Sequence, residues 1–208
     1  ALTKGLGRSI QELMKPSTSD SKSYDTATFY SISNCQEGLS RVTLGNFLIK
    51  RVVYEIQEEL PHIKNFGTLS PIPGFVDWFS YLDEVKIKNI LGNLKDKDVS
   101  FLKSKDLKLG DNRIVKNKEA IIKLVAHYIV NEKNNKGLPL NDVSRFHLGN
   151  GAIVDDIIVN ANVSEVGFKR SFGVMVNYLY ELTNIEKNHE DYVNNNKIIV
   201  SKKIKKYL

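Results

Sequence analysis

The hydrophobic pattern changes its period twice between residues 27 and 70, and this change limits the possible folds more than any other feature. Residues 27–33, ATFYSIS, alternate as a strand does and are rich in aromatic side chains. Over residues 43–60 apolar side chains recur at steps of three and four, which predicts a helix that ends at Pro61. Residues 62–70 return to an extended pattern. This order predicts two parallel strands joined by a crossover helix.

The rest of the chain continues to alternate between strands and helices. At 208 residues and 23.6 kDa it is long enough for one large core, as one domain or as a domain with a small appendage. The remaining patterns predict a strand end at residues 1–7, helices at 9–14 and 73–82, short helices within 83–111, a helix at 116–134, a strand at 152–163 and a helix at 164–182 with Ser164 as its N-cap.

Composition excludes several classes of protein. With 41% hydrophobic and 26% charged residues the chain is typical of globular proteins. It contains no apolar run of eighteen residues and no signal-peptide pattern, so no membrane span is predicted. The lone Cys35 excludes an internal disulfide, and the chain contains no Cys/His cluster of the kind that binds structural zinc. A reducing compartment is therefore expected.

The net charge of +6 comes in part from the last eight residues, SKKIKKYL. Such a tail is expected to be a solvated end of the chain. A positive field also favours a ligand rich in phosphate. No basic stripe with interleaved aromatic residues is present, so no nucleic-acid partner is predicted.

A loop between the first predicted strand and helix has residues that suit phosphate binding. Residues 33–50 include Gly38 and Gly45 ahead of the helix, where unpaired amides and the positive end of the helix dipole attract anions. A simple turn explains these glycines equally well. The pattern is neither a dinucleotide fingerprint nor a P-loop.

Ser70 is placed immediately before Pro71 in the run NFGTLSPIPGF. A residue before proline is held in an extended conformation, so the Ser70 hydroxyl has a restricted direction. One interpretation is a hydroxyl that completes a turn or caps the following helix. The other is a catalytic group, although the Gly-x-Ser-x-Gly elbow of hydrolases is missing.

Of the four histidines, His147 has the most distinctive surroundings. It lies in SRFHLGNGA, which predicts a glycine-rich turn directly before a strand. His62, His127 and His189 have polar or amphipathic neighbours, which predict surface or boundary positions. A structural role explains His147 as well as a catalytic one does. None of the four has partners at metal-ligand spacing.

Three separated motifs resemble the malonyl-CoA decarboxylase family, in the order and approximate spacing of its C-terminal catalytic domain. They are residues 29–75, residues 146–152 (FHLGNGA) and residues 173–180 (GVMVNYLY). The similarity extends from the first residues to about residue 180, and the middle third diverges. The resemblance implies an α/β fold, a GNAT-like mixed β-sheet flanked by helices and incomplete at its N-terminal side, with a V-shaped opening for CoA.

The resemblance also implies site residues. The family's catalytic Ser/His pair corresponds to Ser70 and His147, and Tyr180 matches an active-site tyrosine. A related enzyme has a glutamate, linked to this pair, where Thr43 stands here. Backbone amides expected to hold the CoA diphosphate belong to Ser40, Arg41, Val42, Thr43, Leu44, Gly45 and Asn46.

The implied reaction converts malonyl-CoA to acetyl-CoA and CO2 through an enolate, without a metal or cofactor other than the CoA thioester substrate. Such a site needs donors for the enolate oxygen and an acid for carbon, and a histidine suits the second task because its ordinary pKa lies near neutrality. Two alternatives stay open: a GNAT-type acetyltransferase, and a non-catalytic acyl-CoA-binding module.

The resemblance implies a division into domains as well. Residues 1–208 are expected to form the C-terminal part of a GNAT-like catalytic domain, with a divergent helical insertion at about 83–140 and without the family's N-terminal helical domain. A homo-oligomer is expected to form through that missing domain. Nucleic acid and membrane are not expected partners, and cytoplasm, mitochondrion and peroxisome are equally compatible locations.

Overall fold

The computed structural model describes residues 1–15, 21–30 and 45–208. Its strands are β1 (Leu2–Thr3), β2 (Thr26–Phe29), β3 (Asn65–Thr68), β4 (Ile153–Ile158) and β5 (Met175–Leu179). Its helices are α1 (Ile10–Leu13), α2 (Gly45–Glu59), α3 (Phe75–Ser80), α4 (Glu84–Leu91), α5 (Asn112–Lys116), α6 (Lys118–Val130), α7 (Asp142–Gly149), α8 (Glu165–Ser171), α9 (Ile185–Asn195) and α10 (Lys202–Lys205). Short 3₁₀ turns occupy Ser21–Ser23, Gly92–Leu94 and Ser100–Lys103.

In the described part of the chain the strands form one five-stranded mixed sheet in the order β1-β2-β3-β5-β4. β2 and β3 pair in parallel, from Thr26 opposite Asn65 to Phe29 opposite Thr68. The other three pairs are antiparallel. The parallel strand–helix–strand unit predicted from the sequence is confirmed, with α2 as its crossover helix. The predicted fold class is confirmed as an α/β fold with a mixed sheet flanked by helices.

The observed elements are shorter than the sequence patterns suggested. β3 covers four of the residues predicted as extended, and α2 ends at Glu59, two residues before the predicted stop at Pro61. The end of the first predicted strand, residues 31–33, and the first residues of the predicted helix, 43–44, lie outside the described residues.

The prediction of one helix over residues 164–182 is wrong in its second half. Ser164 is the predicted N-cap and accepts a hydrogen bond from the Gly167 N–H at 3.1 Å. Phe172 and Gly173 then adopt left-handed backbone angles, φ 53° and φ 78°, and such angles end a helix. The chain continues as β5, which lies between β3 and β4 and is buried on both faces. A strand buried on both faces has no alternating pattern, so its apolar run is easily mistaken for helix.

The predicted turn around His147 is wrong too, because His147 lies in the last turn of α7. Asn141 begins this helix, since its Oδ1 accepts a hydrogen bond from the Ser144 N–H at 2.8 Å. The glycines that suggested a turn end the helix instead. Gly151 has φ 80°, and a Cβ there would lie 2.0 Å from the Ile185 carbonyl oxygen, so no other residue fits without moving the start of α9.

The main core lies between the sheet and the helices that cover it. Phe66, Phe75, Ile121 and Leu124 are fully buried within it, and each such side chain contributes about 1.5–3 kcal/mol through burial. A smaller cluster contains Leu13, Leu69, Ile158, Ala161 and Met175. No helix in the described ranges is long and apolar enough to cross a membrane.

The basic tail is only partly the solvated end that the sequence predicted. Ile204 of α10 is buried against β4, and the Ser201 hydroxyl donates to the Asp155 carbonyl oxygen at 2.6 Å. Lys203 pairs with the Asp155 carboxylate at 3.0 Å, while the other lysines of the tail are exposed. The tail therefore docks on the protein through the buried Ile204 and the partly buried Tyr207.

Candidate active site

Ser70 lies just beyond β3, where the chain crosses from its pairing with β2 towards β5. Its N–H donates to the Val176 carbonyl at 2.8 Å, and the Val176 N–H donates back to Ser70 at 2.9 Å. The side chain is buried, with its hydroxyl 3.0 Å from His147 Nε2 and 2.8 Å from Thr68 Oγ1. The hydroxyl therefore takes part in a buried side-chain network, and the helix-cap interpretation is wrong because Gly74 begins α3.

His147 lies over the same face of the sheet. Only 2% of the residue is exposed, and both ring nitrogens have hydroxyl partners: Ser70 at Nε2 and, at 2.8 Å from Nδ1, the hydroxyl of Tyr180. The ring stacks on Tyr178, with 4.5 Å between centroids and 25° between planes. These contacts fix the imidazole in position and orientation.

Tyr180 follows β5 and is held by the sheet as well. Its N–H donates to the Phe66 carbonyl at 2.8 Å, so the backbones around Ser70 and Tyr180 are tied across the same pair of strands. The side chain is buried, and burial raises the pKa of its hydroxyl well above the usual value. Tyr180 therefore keeps its proton at neutral pH.

Burial also decides the charge of His147. Removal from water lowers the pKa of its imidazole to about 3, because the charged form loses its hydration. Its hydrogen-bonding partners are hydroxyls, which carry no compensating charge. The expectation of an ordinary histidine pKa near neutrality is wrong for this structure. His147 is neutral at pH 7, so one ring nitrogen carries a proton and the other is a hydrogen-bond acceptor.

A second layer of polar groups supports this arrangement from behind. The Tyr178 hydroxyl lies 2.7 Å from Ser144 Oγ, and Ser144 donates to Asn141 Oδ1 at 3.0 Å. Asn141 in turn donates to the Pro73 carbonyl at 2.9 Å. This chain connects β5, the start of α7 and the proline turn after Ser70, so the three parts that carry the site are tied together.

Sequence reasoning missed Thr68, Tyr178 and Ser144. Residues two apart on a strand share a face, so Thr68 could have been found from Ser70 once residues 65–70 were recognised as extended. The same spacing relates Tyr178 to Tyr180, but it was hidden because β5 was predicted as helix. Ser144 has no signal in the sequence, since its role depends on the contact between α7 and β5.

The structure brings Ser70, His147 and Tyr180 together, although 77 residues separate the first two and 33 the last two. Five of the predicted CoA-binding positions lie outside the described residues: Ser40, Arg41, Val42, Thr43 and Leu44. The other two, Gly45 and Asn46, are the first residues of α2. The CoA role of all seven, and the effect of Thr43, stay predictions.

Two other histidines have partners outside the group of Ser70, His147 and Tyr180. His127 stacks on Trp78, and His189 Nδ1 lies 2.6 Å from the Gly149 carbonyl oxygen. Within the described ranges no group of three or more His, Cys, Asp and Glu side chains is placed to hold a metal ion.

These features define a mixed α/β domain with a buried Ser–His–Tyr centre between two strand ends and a helix. Comparison with known sequences identifies the family. The malonyl-CoA decarboxylase C-terminal domain matches residues 1–208, and the chain belongs to the malonyl-CoA decarboxylase family.

Relatives and solved structures agree with this assignment. The mitochondrial malonyl-CoA decarboxylases of Anser anser anser and Rattus norvegicus are each 35% identical over 98% of this chain. The crystal structure of malonyl-CoA decarboxylase from Rhodopseudomonas palustris superposes over 100% of the chain with a TM-score of 0.85 and 35% identity, and that from Cupriavidus metallidurans with 0.81 and 35%. The chain spans 45% and 46% of the two relatives and 48% and 53% of the two solved chains, about half of their length.

Proposed function

We propose that this chain carries the centre that decarboxylates malonyl-CoA to acetyl-CoA and CO2. The observation that carries the proposal is the buried hydrogen-bonded series of Ser70, His147 and Tyr180, assembled from three distant parts of the chain. Membership of the malonyl-CoA decarboxylase family supports the substrate.

The reaction needs little beyond placed donors and one proton. The bond between the carboxylate and the α-carbon breaks, CO2 leaves, and the electron pair moves into the thioester carbonyl to form an enolate. The α-carbon then takes up one proton to give acetyl-CoA. The thioester itself accepts the electrons, so the protein has to stabilise the enolate oxygen and deliver the proton.

The three side chains divide this work. Ser70 and His147 hold the malonyl carboxylate away from its hydration shell, which favours loss of CO2. Backbone amides near the opening of the sheet stabilise the enolate oxygen. His147 delivers a proton from Nε2 to the α-carbon, and Tyr180 positions the acyl group or passes a proton to Nδ1. The proton consumed in each cycle comes finally from solvent.

The neutral state of His147 fits the first of these tasks. In the empty site burial holds its pKa at about 3, so the ring meets the substrate as a neutral N–H donor. A carboxylate placed beside the imidazole favours the charged form and raises its pKa again. Binding of the substrate therefore favours protonation of His147, which is the residue that has to deliver a proton.

The CoA part of the substrate is assigned to the start of α2. Backbone amides of residues 40–46 hold the diphosphate there, where the helix dipole favours negative charge. Nucleic acid and membrane have no part in this function. A homo-oligomer formed through a further helical domain stays part of the proposal.

The test is to incubate the chain with malonyl-CoA and to follow acetyl-CoA by mass. Ser70→Ala is expected to lower the rate by at least about 100-fold, because both the carboxylate contact and the partner of His147 are lost. Ser171→Ala is the matched control, since Ser171 is also a buried serine, and in the described part of the chain its hydroxyl donates to the backbone carbonyls of Gly167 and Val174. A Ser70→Ala rate within a few-fold of the control contradicts the assignment.

The same samples distinguish the two alternatives. Transfer of an acetyl group from acetyl-CoA to an amine, without CO2 release from malonyl-CoA, identifies an acetyltransferase. Thermal stabilisation by CoA without turnover of either thioester identifies a binding module.

A further inference from the structure

Among the described residues, Thr68 and His147 are the polar side chains that contact the Ser70 hydroxyl directly. Thr68 is fully buried on β3, two residues before Ser70 and on the same face of the strand. Ser70 Oγ donates its proton to Thr68 Oγ1 at 2.8 Å. The Tyr178 N–H also points to Thr68 Oγ1, at 3.4 Å. Thr68 therefore acts as an acceptor at the end of the buried network.

This contact determines the direction of the other hydrogen bonds. A serine hydroxyl has one proton, and here that proton lies towards Thr68. Ser70 Oγ consequently faces His147 with a lone pair, so the 3.0 Å contact requires the proton on Nε2. A neutral imidazole has one N–H, so Nδ1 is the acceptor, and the Tyr180 hydroxyl donates to it.

We propose that Thr68 is a positioning residue, which fixes the tautomer of His147 with its proton on Nε2. It acts through Ser70: because Thr68 accepts the hydrogen bond of the Ser70 hydroxyl, Ser70 cannot donate that proton to His147. The importance of this tautomer rests on the proposed function, since Nε2 is the atom that delivers a proton to the α-carbon there. The tautomer itself follows from the geometry and can be measured without any substrate.

Removal of the Thr68 hydroxyl takes away the present hydrogen-bond acceptor of the Ser70 hydroxyl. Among the described residues the polar side-chain atom then left within hydrogen-bonding distance of Ser70 Oγ is His147 Nε2. If Ser70 donates to Nε2, the ring proton has to move to Nδ1, where the Tyr180 oxygen accepts it. Thr68→Val keeps the shape of the side chain and removes only this acceptor.

The experiment is NMR spectroscopy of the chain labelled with ¹⁵N-histidine, with long-range ¹H–¹⁵N correlations at pH 7. Protonated and unprotonated ring nitrogens differ strongly in ¹⁵N chemical shift. The correlations of each nitrogen with the carbon-bound ring protons, Hδ2 and Hε1, show which nitrogen is Nδ1 and which is Nε2. The His147 signals are assigned by their loss in His147→Gln. We expect Nε2–H in the unchanged protein, a new Nδ1–H form in Thr68→Val, and Nε2–H again in Thr68→Ser. Tyr180→Phe should keep Nε2–H, because Thr68 and Ser70 are intact.

An Nδ1–H tautomer in the unchanged protein overturns the proposal, and so does a Thr68→Val spectrum with Nε2–H alone. If Thr68→Val does not fold, Thr68→Ala tests the same contact with a smaller side chain, and the spectrum of the unchanged protein remains decisive by itself. The decarboxylation assay separates the two proposals. A changed tautomer with an unchanged rate supports the role of Thr68 and contradicts the role of Nε2 in the proposed function.

Discussion

Two histidines of this domain stack on aromatic rings, and they differ in everything else they contact. His147 stacks on Tyr178 and His127 on Trp78, with 25° between the planes in both cases. His147 is buried, and its two nitrogens contact hydroxyls. The side chain of His127 is 28% exposed, and its Nε2 lies 3.3 Å from the carboxylate of Glu132.

The difference shows which features distinguish a candidate catalytic histidine in this fold. Aromatic stacking occurs at both positions, so it does not mark the site. A carboxylate at the edge of the protein compensates charge and is typical of surface pairs. Burial between hydroxyls gives an imidazole that is neutral, oriented at both nitrogens and sensitive to any charge brought beside it. Under the proposed function, the carboxylate of malonyl-CoA brings such a charge.

The largest expected effect comes from replacing each histidine in turn. His147→Asn keeps a polar group near Tyr180 but removes the atom that faces Ser70, so malonyl-CoA turnover should fall by about 10²–10⁴-fold. His127→Asn should leave turnover within about two-fold of the unchanged protein, because His127 lies outside the network. Acetyl-CoA formation measured by mass checks both. Equal losses in the two variants contradict the distinction drawn between the histidines.

The next effect is on stability in acid. Burial holds the pKa of His147 at about 3 in the folded chain, whereas an unfolded histidine has its ordinary value of about 6.5. Between these values the unfolded chain binds more protons, so the free energy of unfolding falls as the pH falls. One such group contributes a slope of at most about 1.4 kcal/mol per pH unit.

Urea unfolding at several pH values between 7 and 4 measures this slope. His147→Gln has no group that titrates at this position, so its stability should decline less than that of the unchanged protein as the pH falls below about 6.5. His127→Gln serves as the matched control, because it keeps His147 and should keep the acid-sensitive slope. Parallel curves for the unchanged protein and His147→Gln would show that the buried imidazole is not the cause.

A smaller effect is expected from the hydroxyl of Tyr178. Tyr178→Phe keeps the ring that stacks on His147 and removes the hydrogen bond to Ser144, which should cost about 1 kcal/mol of unfolding free energy. Turnover should change only a few-fold, because the stack and the Ser70 contact remain. A double-mutant cycle with Ser144→Ala measures the coupling by urea unfolding. Additive effects of the two changes would mean that these hydroxyls do not stabilise each other.

The sequence predicted one half of this site far better than the other. The unit around Ser70 was predictable because α2 is amphipathic, so its period of 3.6 residues is visible in the letters and separates the two strands on either side of it. β5 and the helix around His147 were not. β5 is buried on both faces, so it shows no hydrophobic period. α7 is short and is followed by glycines that resemble a turn.

The candidate residues themselves were found through motifs of a family rather than through periodicity. No pattern along the chain places Ser70 beside His147, because their contact depends on how α7 packs against β5. The same limit explains why the pKa of His147 was wrongly expected to be ordinary. Burial is a property of the assembled layers, and a single histidine between polar and glycine residues gives no sign of it.

The smallest expected effect concerns the pair of His127 and Glu132, which is the more exposed of the two histidine environments compared above. Glu132→Gln removes the carboxylate beside His127 and should change the free energy of unfolding by less than about 1 kcal/mol, since water and salt already screen the pair. The acid-sensitive slope assigned to His147 should be unchanged in this variant, because within the described ranges the Glu132 carboxylate pairs with His127 and not with the residues around Ser70. Urea unfolding of Glu132→Gln over the same pH series measures both quantities. A flattened slope would mean that the acid response arises at the surface, and the neutral buried imidazole would then lose its main thermodynamic support.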